Sequence, residues 1–126
     1  MGELQPTTIL DLGNNGTVDE ATLRGILLAL STCQRVIVVN ARVPRRWQDD
    51  NDALMARVVP TYQNAVLADW RSASAGHTEY FGPDGVHPGA VGARAYTSVV
   101  LSAIESTEHQ PRNTGDVASL AQSSVP

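Results

Sequence analysis

Arg35-Val36-Ile37-Val38-Val39-Asn40 is a run of β-branched side chains in which apolar and polar positions do not alternate. A strand with one wet face alternates; an unbroken apolar run is expected of a parallel strand covered on both faces. Parallel neighbours need long crossovers, usually helical, so helices are expected on either side of it. Upstream, Thr7-Thr8-Ile9-Leu10-Asp11-Leu12 reads as a strand that stops at Gly13-Asn14-Asn15-Gly16, after a lead-in from Met1 to Pro6. Thr17 and Glu20 have capping-box spacing, and Leu23, Ile26, Leu27 and Leu30 recur behind them at helical spacing.

Downstream, Ala41 to Trp47 reads as a loop. Asp49 and Asp50 suit a helix N-terminus, and Leu54, Met55, Val58 and Val59 give that helix an apolar stripe, ended or kinked at Pro60. Ala65-Val66-Leu67-Ala68 is a third short strand that stops at Asp69-Trp70, and Arg71 to Pro83 reads as loop. From Pro88, the residues Val91, Ala95, Val99, Val100 and Ile104 mark a last helix. The order is that of an α/β domain with a parallel sheet, covering residues 1–104. Residues 105–126, rich in Gln, Ser, Thr, Asn and Pro, are expected to be a disordered tail.

Composition narrows the function. The 126 residues are 42% hydrophobic and 17% charged, in keeping with one small domain, and only 5% aromatic, so the core must be aliphatic. A net charge of -4 leaves no basic stripe for phosphates, which excludes nucleic acid as an expected partner. Cys33 is the single cysteine, so there is no internal disulfide and no cysteine-rich metal site; near a helix end it reads as a buried structural thiol. No apolar run reaches membrane-spanning length, and the N-terminus carries no signal pattern. Neither a cofactor nor a metal is expected.

The chemistry concentrates in Asp84-Gly85-Val86-His87-Pro88. A carboxylate three residues from an imidazole can fix its tautomer and stabilise its cation, as a histidine general base requires. Pro88 suits the first position of a helix, which would put His87 at a positive helix end that opposes the imidazolium while Asp84 favours it. The same residues also read as a simple capped loop. In a parallel sheet the loops at the strand carboxyl ends form the binding crevice, and Asn15, Arg42, Asp84 and His87 all follow strand ends. Asn15 reads either as a side-chain donor or as a turn residue, Arg42 as an anion or sugar ligand or a solvated loop end, and Trp47 as a contact or a cover for the sheet edge. His77, with no partner at a meaningful spacing, reads as a surface histidine.

Taken as a set, Ile9-Leu10-Asp11-Leu12-Gly13-Asn14-Asn15-Gly16, Val39-Asn40-Ala41-Arg42-Val43-Pro44-Arg45-Arg46-Trp47, Asp69-Trp70, and Asp84-Gly85-Val86-His87-Pro88 with Gly92-Ala93 resemble the SGNH (GDSL-like) hydrolase superfamily. More narrowly they resemble the extracytoplasmic SGNH domain fused to bacterial membrane O-acyltransferases, including peptidoglycan O-acetyltransferases. The resemblance runs from about Thr7 to Ile104. It implies a three-layer, flavodoxin-like parallel sheet with a family strand order of 2-1-3-4-5. It also implies acyl, in particular acetyl, transfer or ester hydrolysis on a cell-envelope glycan by a Ser-His-Asp mechanism. His87 would be the base, Asp84 its orienting carboxylate, Asn15 an oxyanion donor, and Arg42 and Trp47 substrate contacts.

The pattern also departs from the family. No Gly-Asp-Ser block occurs in the sequence, and Ser31, Ser72 and Ser74 stand in the wrong context to replace its serine, so no nucleophile is assigned. The expectation is an N-terminally truncated domain with little turnover alone, attached to a membrane only through a missing N-terminal part. The Thr7 to Leu12 strand, lacking its family neighbour, is an unpaired apolar edge, for which homodimerisation or aggregation through that edge, or marginal stability alone, is expected. A different class of reading is a non-catalytic glycan- or partner-binding module with Arg42, Arg45, Arg46 and Trp47 as its contact loop. A nucleotide-binding half fits poorly, since no Gly-x-Gly-x-x-Gly or P-loop follows any strand.

Overall fold

A computed structural model describes residues 5–109. Three parallel strands, β1 (Gln5–Asp11), β2 (Cys33–Val39) and β3 (Ala65–Ala68), form one sheet in the order β1-β2-β3. Ile9 lies opposite Ile37, and Val38 opposite Leu67. The central strand behaves as its composition requires. Val36 and Val38 join Leu23 and Leu27 of α1 (Glu20–Ala29) and Leu54, Met55 and Val58 of α2 (Gln48–Val58) in one core. Ile37 and Val39 face the other way, against Trp70, Val100 and Ala103. Burying each such side chain fully contributes about 1.5–3 kcal/mol, which is why β2 cannot alternate. The second core lies under α4 (Ala90–His109), so the sheet is the middle of three layers, an α/β arrangement of flavodoxin-like type as expected.

Several boundaries move from their expected places, each for a visible reason. The Thr17–Glu20 box does not form: Asp19 caps α1, accepting from the Thr22 amide at 2.8 Å, and Glu20 instead pairs with Arg24 and Arg57. The start is delayed because Asn51 of α2 accepts from the Val18 amide and donates to the Gly16 carbonyl, holding the chain extended through Val18. Pro60 sits in a 3₁₀ turn, Val59–Thr61, that closes α2 as foreseen. The stretch from Arg71 to Pro83 is not all loop: α3 (Trp70–Ala73) is capped by Asp69, and Thr78–Tyr80 forms a 3₁₀ turn. Pro88 does not open the last helix. It bridges to Phe81, the Gly89 amide bonds the Tyr80 carbonyl, and α4 begins at Ala90. At its far end α4 passes Glu105 and runs to His109; the rest of the expected tail, 110–126, lies outside the described residues. Cys33 is buried, at the start of β2, beside Thr8.

Candidate functional site

Three loops leave the carboxyl ends of the strands. The first, after β1, is shaped by Gly13 and Gly16, both at positive φ, where a side chain would be strained. It is then clamped from below: the Trp47 indole N–H donates to the Gly13 carbonyl at 3.0 Å, Asn51 holds Gly16 and Val18, and Asn14 donates to Asp11. Asn51 is only 1% exposed yet has both ends of its amide satisfied, so it can remain buried without penalty. What the clamps leave outward is Asn15, which is exposed.

The second loop follows β2. Buried Asn40 donates to Asp69 and accepts from the Arg71 amide, so the end of β2 serves as a clasp to α3 rather than reaching outward. Arg42 is half-buried; its Nη2 donates to the Arg71 carbonyl and its Nε to Ser74 Oγ at 3.3 Å. Gln48 Oε1 accepts from the Val43 amide and Asp52 Oδ1 from Ala41, which fixes the loop from both sides. Burial pushes the Asp52 carboxyl up; the Ala41 amide and Arg71 oppose the shift.

The third loop carries the acid and the imidazole. Asp84 Oδ1 accepts from the backbone amides of Val86 and His87, and Oδ2 lies 2.5 Å from His87 Nδ1. The His87 ring, first, and then those two amides hold the Asp84 carboxyl far below the usual carboxylate range. The two readings of these residues thus coincide: Asp84 caps its own turn and, with its second oxygen, orients the ring. Gly85, at φ +70°, gives the turn its shape. The His87 side chain is 84% exposed, and Nε2 has no partner among the described residues. Since α4 starts only at Ala90, the helix end lies beyond the position expected for it, and Asp84 is the group in contact with the ring.

The second loop links the other two. Its Trp47 touches Gly13, and its Pro44 packs where a side chain on Gly85 would be, 3.5 Å away. Tyr96 of α4 adds a further tie, donating to Asp11 at 2.8 Å; burial, and then that carboxylate, push the Tyr96 phenol far up. A cavity of about 400 Å³ opens between the second loop and residues 74–85, with Arg42, Gln48, His77, Phe81 and Gly85 in its wall. Asn15, Trp47, Asp84 and His87 do not line it. His77 does have a partner: Glu79, at 2.8 Å, and its ring stacks on Tyr80 at 4.4 Å. Among the described residues no cluster of His, Cys, Asp and Glu could hold a metal ion. No helix there is long and apolar enough to cross a membrane.

Asn51 and Tyr96 were not foreseen. Asn51 had a signal: it stands at i, i+3, i+4, i+7 with Leu54, Met55 and Val58, a polar residue on the buried stripe.

No family model matches the chain. Peptidoglycan O-acetyltransferase OatA of Listeria monocytogenes serovar 1/2a is 38% identical over 96 residues, 76% of this chain and 15% of the relative. YrhL of Bacillus subtilis, provisionally named a peptidoglycan O-acetyltransferase, is 34% identical over 98 residues, 78% of this chain and 15% of the relative. A provisionally named O-acetyltransferase of Staphylococcus aureus (strain MW2) is 35% identical over 97 residues, 77% of this chain and 16% of the relative. The chain thus spans about one sixth of the length of the curated relatives it matches. The chain is therefore similar, as a segment, to bacterial peptidoglycan O-acetyltransferases, and its α/β fold is consistent with the SGNH-type domain of such enzymes.

Proposed function

We propose that this chain supplies the acid–base side of a serine acyl-transfer site that moves acetyl groups on a cell-envelope glycan. The observation that carries the reading is the Asp84–His87 pair. With a carboxylate on Nδ1, the ring presents Nε2, unencumbered, to take a proton from an attacking hydroxyl and return it to the leaving group. Asn15, on its clamped loop, donates to the oxyanion that develops on the carbonyl. Arg42 contacts substrate from the cavity wall. Trp47 holds the Asn15 loop through its N–H and offers its half-exposed ring to a sugar. The sequence contains no Gly-Asp-Ser, so the serine comes from outside these 126 residues and the chain alone turns over little above background. Acetyl as the group and peptidoglycan as the glycan are carried over from the relatives' names; an extracytoplasmic location is part of the proposal, because a glycan of the cell envelope is reached from that side.

Segment exchange tests this. The matched segment of the Listeria relative is replaced by the matching residues of this chain, and acetyl-ester turnover is measured. The chimera is expected to turn over well above background and the isolated chain close to it. A folded chimera without turnover, or an isolated chain equal to the intact relative, would overturn the proposal.

The reading extends to self-association. Among the described residues β1 pairs only with β2, and Ile9 on its open edge is 49% exposed. We expect the Thr7 to Leu12 edge to recruit the same strand of a second copy. Sedimentation velocity should show a dimer that Ile9→Lys converts to monomer; a wild-type monomer at all concentrations contradicts it.

A further inference from the structure

We infer that the cavity between Arg42 and Phe81 is a subsite for a carboxylate-bearing sugar ring, with the Arg42 guanidinium as its anion receptor. This deepens the acyl-transfer reading and rests on it for the ligand's being a glycan. The cavity, about 400 Å³, is of the size that takes small ligands, roughly 300–1,000 Å³. Its charge is one-sided. Arg42 lies in its wall and no aspartate or glutamate does, in a chain whose net charge is -4. Arg71 nearby is paired with Asp49 and Asp52, and His77 with Glu79, whereas Arg42 bonds only a carbonyl and a hydroxyl. A half-buried guanidinium without a counter-ion is costly, and its planar fork suits a carboxylate. Phe81 supplies an apolar wall for a ring face, and the Thr78 hydroxyl and the Gln48 amide nitrogen are groups that suit sugar hydroxyls. Gly82 and Gly85, which bracket Asp84, complete the wall, and the Gly82 amide bonds the His87 carbonyl at 2.8 Å, so the wall shares its backbone with the Asp84–His87 turn, whose own side chains lie outside the cavity.

The test is binding to the intact chain, read by ¹H–¹⁵N NMR titration with galacturonate, galactose and acetate. Galacturonate is expected to shift Arg42, Gly76, Gly82 and Gly85 and to bind at least about tenfold more tightly than either of the others. Arg42→Gln is expected to lower its affinity to that of galactose. Because Arg42 also holds α3, Thr78→Glu is the second variant: it places a carboxylate in the cavity without touching Arg42 and should weaken galacturonate by at least about tenfold. Equal affinity for galacturonate and galactose, acetate matching galacturonate, or both variants binding like wild type would each overturn the proposal. The two readings fail separately. An inactive chimera with selective galacturonate binding sinks the acyl transfer alone, and an active chimera without that selectivity sinks the subsite alone.

Discussion

Replacing His87 with alanine in the segment-exchange chimera should lower kcat/KM for an acetyl ester by about 10⁴-fold or more, with little change in thermal stability. The two halves of that expectation have separate origins. The ring is 84% exposed and packs into neither core, so its loss leaves no cavity. Its chemistry, however, has no substitute: among the described residues the other histidine of the third loop region, His77, is committed to Glu79 and Tyr80. Asp84→Asn should cost nearly as much, about 10³–10⁴-fold, because an amide at that position no longer selects the tautomer that leaves Nε2 bare. Asn15→Ala should cost less, about 10²–10³-fold, the loss of one oxyanion donor. Asp84 also carries a pH signature. Its folded pKa is depressed, so the stabilisation from its bonds to His87 and the two amides is present above the ordinary carboxylate range. It is lost as pH falls through the lower folded value. Across neutral pH Asp84 stays charged, and the activity profile does not report it.

The second large effect is on the fold. Gly92 lies in the first turn of α4, where glycine is ordinarily a liability and alanine would gain about 1 kcal/mol. Here a Cβ would sit 1.9 Å from the Tyr80 carbonyl oxygen and 2.7 Å from its carbon. Both are backbone atoms, and that carbonyl already accepts from the Gly89 amide, so no rotamer change relieves the clash. Gly92→Ala should therefore destabilise by about 3 kcal/mol as α4 is pushed off the Tyr80 turn. For a domain of this size that is a fall in Tm of roughly 12–24 °C. Gly25, in the middle of α1 with open space around it, is the control: Gly25→Ala should stabilise by about 1 kcal/mol. A Gly92→Ala variant stabilised to the same extent as Gly25→Ala would refute the close-approach argument.

These two cases mark what the sequence makes legible. Features fixed by residues close in the chain can be read directly. The unbroken run of β2, the acids opening α2, and the Asp84–Gly85–His87 turn all follow from local chemistry, and each forms. Features fixed by a partner far away cannot. The start of α1 depends on Asn51, more than thirty residues on, and the half-burial of Arg42 depends on Ser74 and the Arg71 carbonyl. Gly92 is an example of the same kind: its place in the motif is visible, its reason, the Tyr80 carbonyl, is not. His77 is a surface histidine, its side chain 44% exposed, but it has a partner that spacing does not reveal, because in an irregular backbone Glu79, two residues away, can turn to meet it. Asp69 of α3 carried a local signal, an acid three residues before Ser72 whose amide it caps, but in a segment of small polar residues the helix it starts is only four residues long.

The most direct check on the acid–base account is the tautomer of His87, read by long-range ¹H–¹⁵N NMR on the chain at about pH 8.5, where ordinary imidazoles are neutral. The account predicts a proton on Nδ1, held by Asp84, with Nε2 bare, and a shift toward the Nε2–H form in Asp84→Asn. A His87 ring that carries its proton on Nε2 in the wild-type chain would mean that the carboxylate does not hold it, and the base would be missing.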